Sequence, residues 1–152
     1  MVEENDVMVS VGDCAAVETA TQALHHAVPA TARLGLEVVS STAEEVLIRI
    51  PLAVNGNDKG TLFAGSSYAG LVTAGWFLAM NRAYASGFES PWAAVVDAHV
   101  HYAKAIRQDV VARAVFAEEP QLVPGARNWA KIRVSVGEAL VFEGTYAVGV
   151  RK

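Results

Sequence analysis

Two stretches of the chain carry residue types whose spacing could do chemistry. The first runs Asn57-Asp58-Lys59-Gly60-Thr61-Leu62-Phe63-Ala64-Gly65-Ser66, a polar loop leading into residues that stay uncharged until Arg82. The second is Asp97-Ala98-His99-Val100-His101, an acid and two imidazoles at alternate positions. On a strand that alternation turns all three polar groups to one face. A His-x-His pair there can hold zinc, with a carboxylate as ligand or orienter. The ligand set is incomplete, because His25 and His26 belong to a separate early segment. No metal is assigned. Cys14 sits between Asp13 and Ala15, which offer a thiolate no positive partner, so it reads as a small apolar residue.

The uncharged stretch admits three readings. As a phosphate loop it fails, since Gly60 is not followed by the Gly-Lys-Ser/Thr run that such loops need. As a membrane span it is long enough, Leu62 to Met80 approaching the roughly 20 residues required. Yet Gly65, Gly70, Gly75, Ser66, Ser67 and Thr73 dilute its hydropathy, and no basic flank marks one side. A helix without a polar face inside a globular protein is a buried one. That third reading is retained, with the first turn of the helix as a substrate site.

The elements that would position these residues follow from periodicity and breakers. A first helix is expected over Ala15–Ala27, started by Asp13 or Thr19 and ended before Pro29. Leu36, Val38, then Val46, Ile48 and Ile50 alternate with polar residues around SSTAEE, a hairpin pattern. Pro51 and Asn55-Gly56-Asn57 close the second strand into a loop. The long helix is placed at roughly Gly65 to Tyr84. Four strands follow, Trp92–Lys104, Val110–Glu118, Trp129–Val136 and Leu140–Val150, the last two joined by Gly137-Glu138-Ala139. Helices and strands do not alternate, so the class is α+β rather than a doubly wound parallel sheet.

Composition narrows the partners. At 152 residues with 53% hydrophobic and 18% charged residues, the chain can bury a core and is not disordered. Its wealth of Ala and Val points to surface hidden in an oligomer. A net charge of −4 and basic residues scattered at Arg33, Arg49, Lys59, Arg82, Lys104 and Arg107 argue against nucleic acid. The acidic MVEENDVMVS lacks a signal peptide's basic and apolar parts. It is expected to be a flexible tail over 1–12, ahead of a single domain over 13–152. One cysteine allows no intramolecular disulfide, which fits the cytoplasm.

Two helices and six strands, one helix apolar all round, describe a mostly antiparallel sheet wrapped around that helix: the hotdog fold. The stretch Asn57 to Ser66 resembles the motif with which hotdog thioesterases begin their central helix, commonly Asn-x-x-Gly-x-x-His-Gly-Gly. The run from Val95 to Phe116, with an acid at Asp109 after a short turn, resembles their third and fourth strands. The ending Phe142-Glu143-Gly144-Thr145-Tyr146-Ala147-Val148 resembles their last. Within that superfamily the likeness is to the thioesterase family of the YiiD C-terminal type, through Gly60-Thr61-x-Phe63-x-Gly65-Ser66 and Ala74-Gly75-Trp76. Together these features cover most of Leu34 to Val150. The acetyltransferase domain to which that family is often fused is not expected in this sequence.

The resemblance implies an acyl thioester substrate, no cofactor, and a site shared by two protomers of a dimer or tetramer. It implies that the Gly65 N–H polarises the thioester carbonyl and that Asn57 holds the carbonyl or an attacking water. Gly60, Thr61, Phe63, Ala64, Ser66, Val72 and Thr73 would surround the substrate, and Ala69 and Gly70 would leave room for an acyl chain. Two departures stand out. Phe63 replaces the common His, and Val72 occupies the position where many relatives carry an acid, with Thr73 next to it supplying no carboxylate either. Asp58 is the nearest carboxylate in sequence and the substitute base, although Asp and Asn are also ordinary turn formers there. Hydrolysis, or binding of a thioester without hydrolysis, both remain open. A dehydratase of the same fold would need a His where Phe63 stands.

Overall fold

The computed structural model describes residues 14–152, so the expected tail lies outside the described residues. Helix α1 spans Cys14–Ala27 and a single turn, α2, spans Ala30–Arg33. Strands β1 (Glu37–Ser41) and β2 (Glu45–Ile50) form the expected hairpin. A second short helix, α3 (Leu52–Asn55), occupies what reads in sequence as loop. Asp109 explains it: its Oδ1 accepts from the Leu52 N–H at 2.8 Å and so caps the turn from a loop 57 residues further on.

The long helix α4 runs over Ala64–Ala85, followed by β3 (Pro91–Tyr102), β4 (Val110–Phe116), β5 (Asn128–Val136) and β6 (Leu140–Val150). All strand pairs are antiparallel, and the order across the sheet is β1-β2-β4-β5-β6-β3. The sheet curls around α4, and this is the hotdog fold. Its inner face is built by alternation: Val46, Ile48 and Ile50 on β2, Ala112 and Ala114 on β4, Ile132 and Val134 on β5, Phe142 and Tyr146 on β6.

Glycines set how closely α4 approaches the sheet. A Cβ on Gly70 would run into the Ile50 side chain, and one on Gly75 into the Tyr146 ring. The room expected beside Gly70 for a substrate is therefore filled by Ile50. Buried residues such as Leu71, Phe77 and Leu78 fill the space between helix and strands. The enclosure is incomplete, because Gly65, Ala69, Val72 and Trp76 are not fully buried. Their spacing of four, three and four residues places them in one stripe along the helix. That stripe lies beside β3, an edge strand, which among the described residues pairs only with β6.

Candidate functional site

The loop ahead of α4 is held by one side chain. The Asn57 Oδ1 accepts from the N–H groups of Lys59 (2.9 Å) and Thr61 (3.1 Å), and its Nδ2 donates to the Thr61 hydroxyl at 2.9 Å. Gly60 takes the left-handed conformation, φ 72°, that lets the loop turn back. The returning segment is then pinned: Leu62 N–H donates to Ile106 O at 2.8 Å, and Phe63 N–H to Asn55 O at 2.7 Å. Asn57 thus acts first as a turn residue, with one amide N–H left over. Asp58 is exposed at the rim and pairs with the Lys59 ammonium at 3.2 Å.

At the head of α4, Phe63 is extended, with φ −66° and ψ 132°, and no side chain caps the helix. The first bond that closes it is Ser67 N–H to Phe63 O, at 2.9 Å, and the Ser67 hydroxyl donates to the same carbonyl. The N–H groups of Ala64, Gly65 and Ser66 are left pointing out of the helix end, where the dipole is positive. Ala64 and Gly65 are exposed. A Cβ on Gly65 would come within 2.6 Å of the Phe63 ring, so the missing side chain leaves only that ring over the turn. Tyr102, on the edge strand, donates its hydroxyl to Ala64 O at 3.0 Å and ties β3 to this turn. Burial, and then the neighbouring Tyr68, raise its ionisation above the ordinary tyrosine value, which keeps the donor protonated. A cavity of about 230 Å³ lies beneath, lined by Leu62, Ser67, Tyr102, Ile106 and Leu140 among others.

Val72 and Thr73 lie two turns further along. They line a separate apolar cavity of about 200 Å³ with Val28, Trp76, Val95 and Tyr146. Among the described residues no carboxylate borders it. The structure thus brings Asn57, Gly60, Thr61, Phe63, Ala64, Gly65 and Ser66 together at one helix end. It sets Val72 and Thr73 about 10–12 Å down the axis from Gly65, at 1.5 Å per residue.

Asp97, His99 and His101 pair across β6 with Thr145, Glu143 and Val141 on the outer face. Asp97 and His99 border an open surface cavity with Lys131, Arg133 and Glu143. Among the described residues no group of three or more His, Cys, Asp or Glu is placed to hold a metal ion. The inward-facing side of β3 departs from simple alternation. The register shifts between Val95 and Asp97, which takes Val96 out of the inward row and puts Val95 against Tyr146.

Sequence reasoning missed Tyr102, Tyr146 and Asn55. The Tyr146 hydroxyl donates to Val72 O at 2.7 Å, and the buried Asn55 amide donates to Leu34 O and Pro51 O, each at 2.8 Å. Asn55 is followed by glycine and reads as a turn, while the contacts that fix it are distant in sequence. Only the inward alternation of Tyr146 with Phe142 hinted at its place. Among the described residues no helix is long and apolar enough to cross a membrane.

Comparison with known proteins supplies the remaining context. The family described as "Putative thioesterase (yiiD_Cterm)" matches residues 17–149. The crystal structure described as that of "the putative thioesterase from Shewanella oneidensis" superposes with a TM-score of 0.75 at 22% identity, over 89% of this chain and 97% of that one. A thioesterase from Haemophilus influenzae gives 0.67 at 20% identity, over 87% and 89%. A thioesterase family protein from Silicibacter pomeroyi gives 0.68 at 16% identity, over 86% and 96%. At such identities the likeness to these structures is one of fold.

Proposed function

Because the chain belongs to the family described as "Putative thioesterase (yiiD_Cterm)", we propose that it hydrolyses an acyl thioester at the N-terminus of α4. The acyl carrier is coenzyme A or an acyl-carrier protein. The observation that carries this reading is the uncapped first turn, exposed at Ala64 and Gly65. Donors fixed before reaction stabilise a developing oxyanion without reorganising, which is the largest single contribution in many acyl transfers. The Gly65 N–H receives the carbonyl oxygen, and the spare Asn57 amide N–H holds the carbonyl or the water. Water adds to the carbonyl carbon and loses a proton to Asp58. The C–S bond then breaks, and the thiolate leaves and takes up a proton. Gly60 and Thr61 shape the loop, Phe63, Ala64 and Ser66 surround the carbonyl, and Val72 and Thr73 face the acyl side. Water is the only co-reactant, so no cofactor is assigned.

A second copy of the chain completes the site. Strand β3 has one free edge and exposes Val95 and Val96, which supports antiparallel pairing with its counterpart. Trp92 and Trp129, exposed on the outer face, support a further association into a tetramer. The compartment proposed is the cytoplasm. Purified protein should release free thiol from at least one member of a panel of short, medium, long and aromatic acyl-CoA thioesters. Silence across the whole panel rejects hydrolysis.

One observation favours a second reading, binding without hydrolysis. Val72 and Thr73 supply no carboxylate, and the Asp58 carboxylate is at the rim beside Lys59. Calorimetric binding of an acyl-CoA with no thiol release would establish it.

A further inference from the structure

Three tyrosines gather where α4 faces β3 and β6, and two of them use their hydroxyls to hold the fold. Tyr102 donates to Ala64 O at 3.0 Å, and Tyr146 to Val72 O at 2.7 Å. Tyr68 lies between them. Ala64, Tyr68 and Val72 follow one another at four-residue spacing and so share one row of the helix. A charge on Tyr68 would hinder the ionisation of either neighbour, which marks its closeness to both.

Among the described residues the Tyr68 hydroxyl has no hydrogen-bond partner within the chain. The buried side-chain atoms left without one there are Asn55 Oδ1 and Asn81 Oδ1, so the Tyr68 oxygen is accessible. Its ring, by contrast, is fixed. The residue is half-buried and packs on the core, and its ring meets the Phe142 ring edge-on at 6.0 Å and 65°. The core thus uses the ring alone, and the O–H is left as a rigidly held donor.

We propose that Tyr68 is a catalytic residue of the thioester site, its hydroxyl donating to the substrate carbonyl oxygen beside the Gly65 N–H. The inference rests on the thioester reading above and gives that site a second oxyanion donor. Tyr68 follows Gly65 by three residues, about 4.5 Å along the helix axis. Side chains on a helix lean over the turn before them, so the phenol reaches back toward the open first turn. As the carbonyl becomes tetrahedral, negative charge gathers on its oxygen. A donor already held by Phe142 stabilises that charge without reorganising. The hydroxyl keeps its proton throughout. With Tyr68 on the carbonyl, the spare Asn57 amide N–H is left for the attacking water.

The test separates the carbonyl from the rest of the substrate. Wild type and Tyr68→Phe are compared on two unreactive acyl-CoA analogues, each at short, medium and long chain length. One is the ketone in which a methylene replaces the thioester sulfur. The other is the S-alkyl-CoA thioether, which lacks the carbonyl. By calorimetry, Tyr68→Phe should bind the ketone roughly tenfold more weakly and the thioether as wild type does. Where acyl-CoA is hydrolysed, kcat should fall on the order of a hundredfold with KM little changed. The urea midpoint should stay in place, because the lost hydroxyl bonds nothing within the chain. A variant that fails to fold refutes that premise and the proposal with it. Equal weakening of both analogues, or no change in either, also overturns the proposal. If wild type hydrolyses nothing, the hydrolytic reading fails and the analogues decide Tyr68 separately. A loss confined to the ketone then upholds the carbonyl donor, and any other result, no binding included, ends it.

Discussion

The two ends of α4 are treated in opposite ways. At the C-terminal end Gly87, with φ 86°, closes a Schellman turn: Phe88 N–H donates to Ala83 O at 3.0 Å and Gly87 N–H to Tyr84 O at 3.1 Å. Arg82 there donates to Ala43 O, Glu44 and Glu119 at 2.6–2.9 Å and lies 4.6 Å over the Phe116 ring. Asn81 adds bonds to the Ser41 hydroxyl at 2.6 Å and Thr42 O at 3.0 Å, although its buried Oδ1 finds no partner. At the N-terminal end no side chain caps the helix. One end spends its polar groups on holding the fold, and the other leaves its N–H groups open for the ligand proposed above. The difference separates scaffold from site more sharply than burial does.

The contrast predicts that substitutions at the two ends move different observables. The largest effect is expected from Gly65→Ala, whose methyl stands where the carbonyl would approach and meets the Phe63 ring. Activity should fall on the order of a hundredfold, about 2.7 kcal/mol of barrier. Stability in urea should hold or rise slightly, because Ala suits a helix better than Gly. A loss of stability with intact activity would reverse the assignment. Arg82→Met should cost about 2 kcal/mol of stability, since its two carboxylate partners are exposed and only the bonds and packing are lost. Thermal or urea unfolding reads that loss, and kcat/KM per folded molecule should not change.

Asn57→Ala sits between these extremes, because the amide both braces the loop and faces the site. A roughly tenfold loss of activity should accompany about 1 kcal/mol of destabilisation. Loss of stability alone would leave Asn57 a turn residue. The smallest effect is expected from Asp58→Asn, where unfolding should stay within about 0.5 kcal/mol of wild type. Only the rate should drop, by a few-fold, as solvent stands in for an exposed base. An unchanged rate would remove Asp58 from the mechanism.

What could be read from the sequence was whatever depends on periodicity. Alternation placed the last four strands to within two residues at their ends, and the lack of any polar face identified α4 as the central helix. The motif from Asn57 to Ser66 could be placed ahead of α4 because its glycines and Asn act through local backbone shape. Features set by contacts distant in sequence stayed hidden. The short α3 depends on Asp109, 57 residues away, and the cavity at Val72 depends on Tyr146, 74 residues away. Gly70 looked like room for substrate, and the side chain that fills that room, Ile50, lies on β2. The bulge at Val96 is also invisible to alternation, which assumes an unbroken register.

The place of β3 in the sheet bears on the order in which the chain can be assembled. Its sole neighbour among the described residues is β6, the last of the six strands, with Tyr102 facing Leu140 and Pro91 facing Val150. On a ribosome, β1, β2, β4 and β5 can pair as they emerge, while β3 waits unpaired until β6 has been made. Through that interval one side of α4 has no cover, and the nascent protein exposes an apolar helix next to an open strand. Such an intermediate is prone to association. The final residues of β6 therefore act as a late latch: they seat β3, and only then can the edge proposed to pair with a second copy exist.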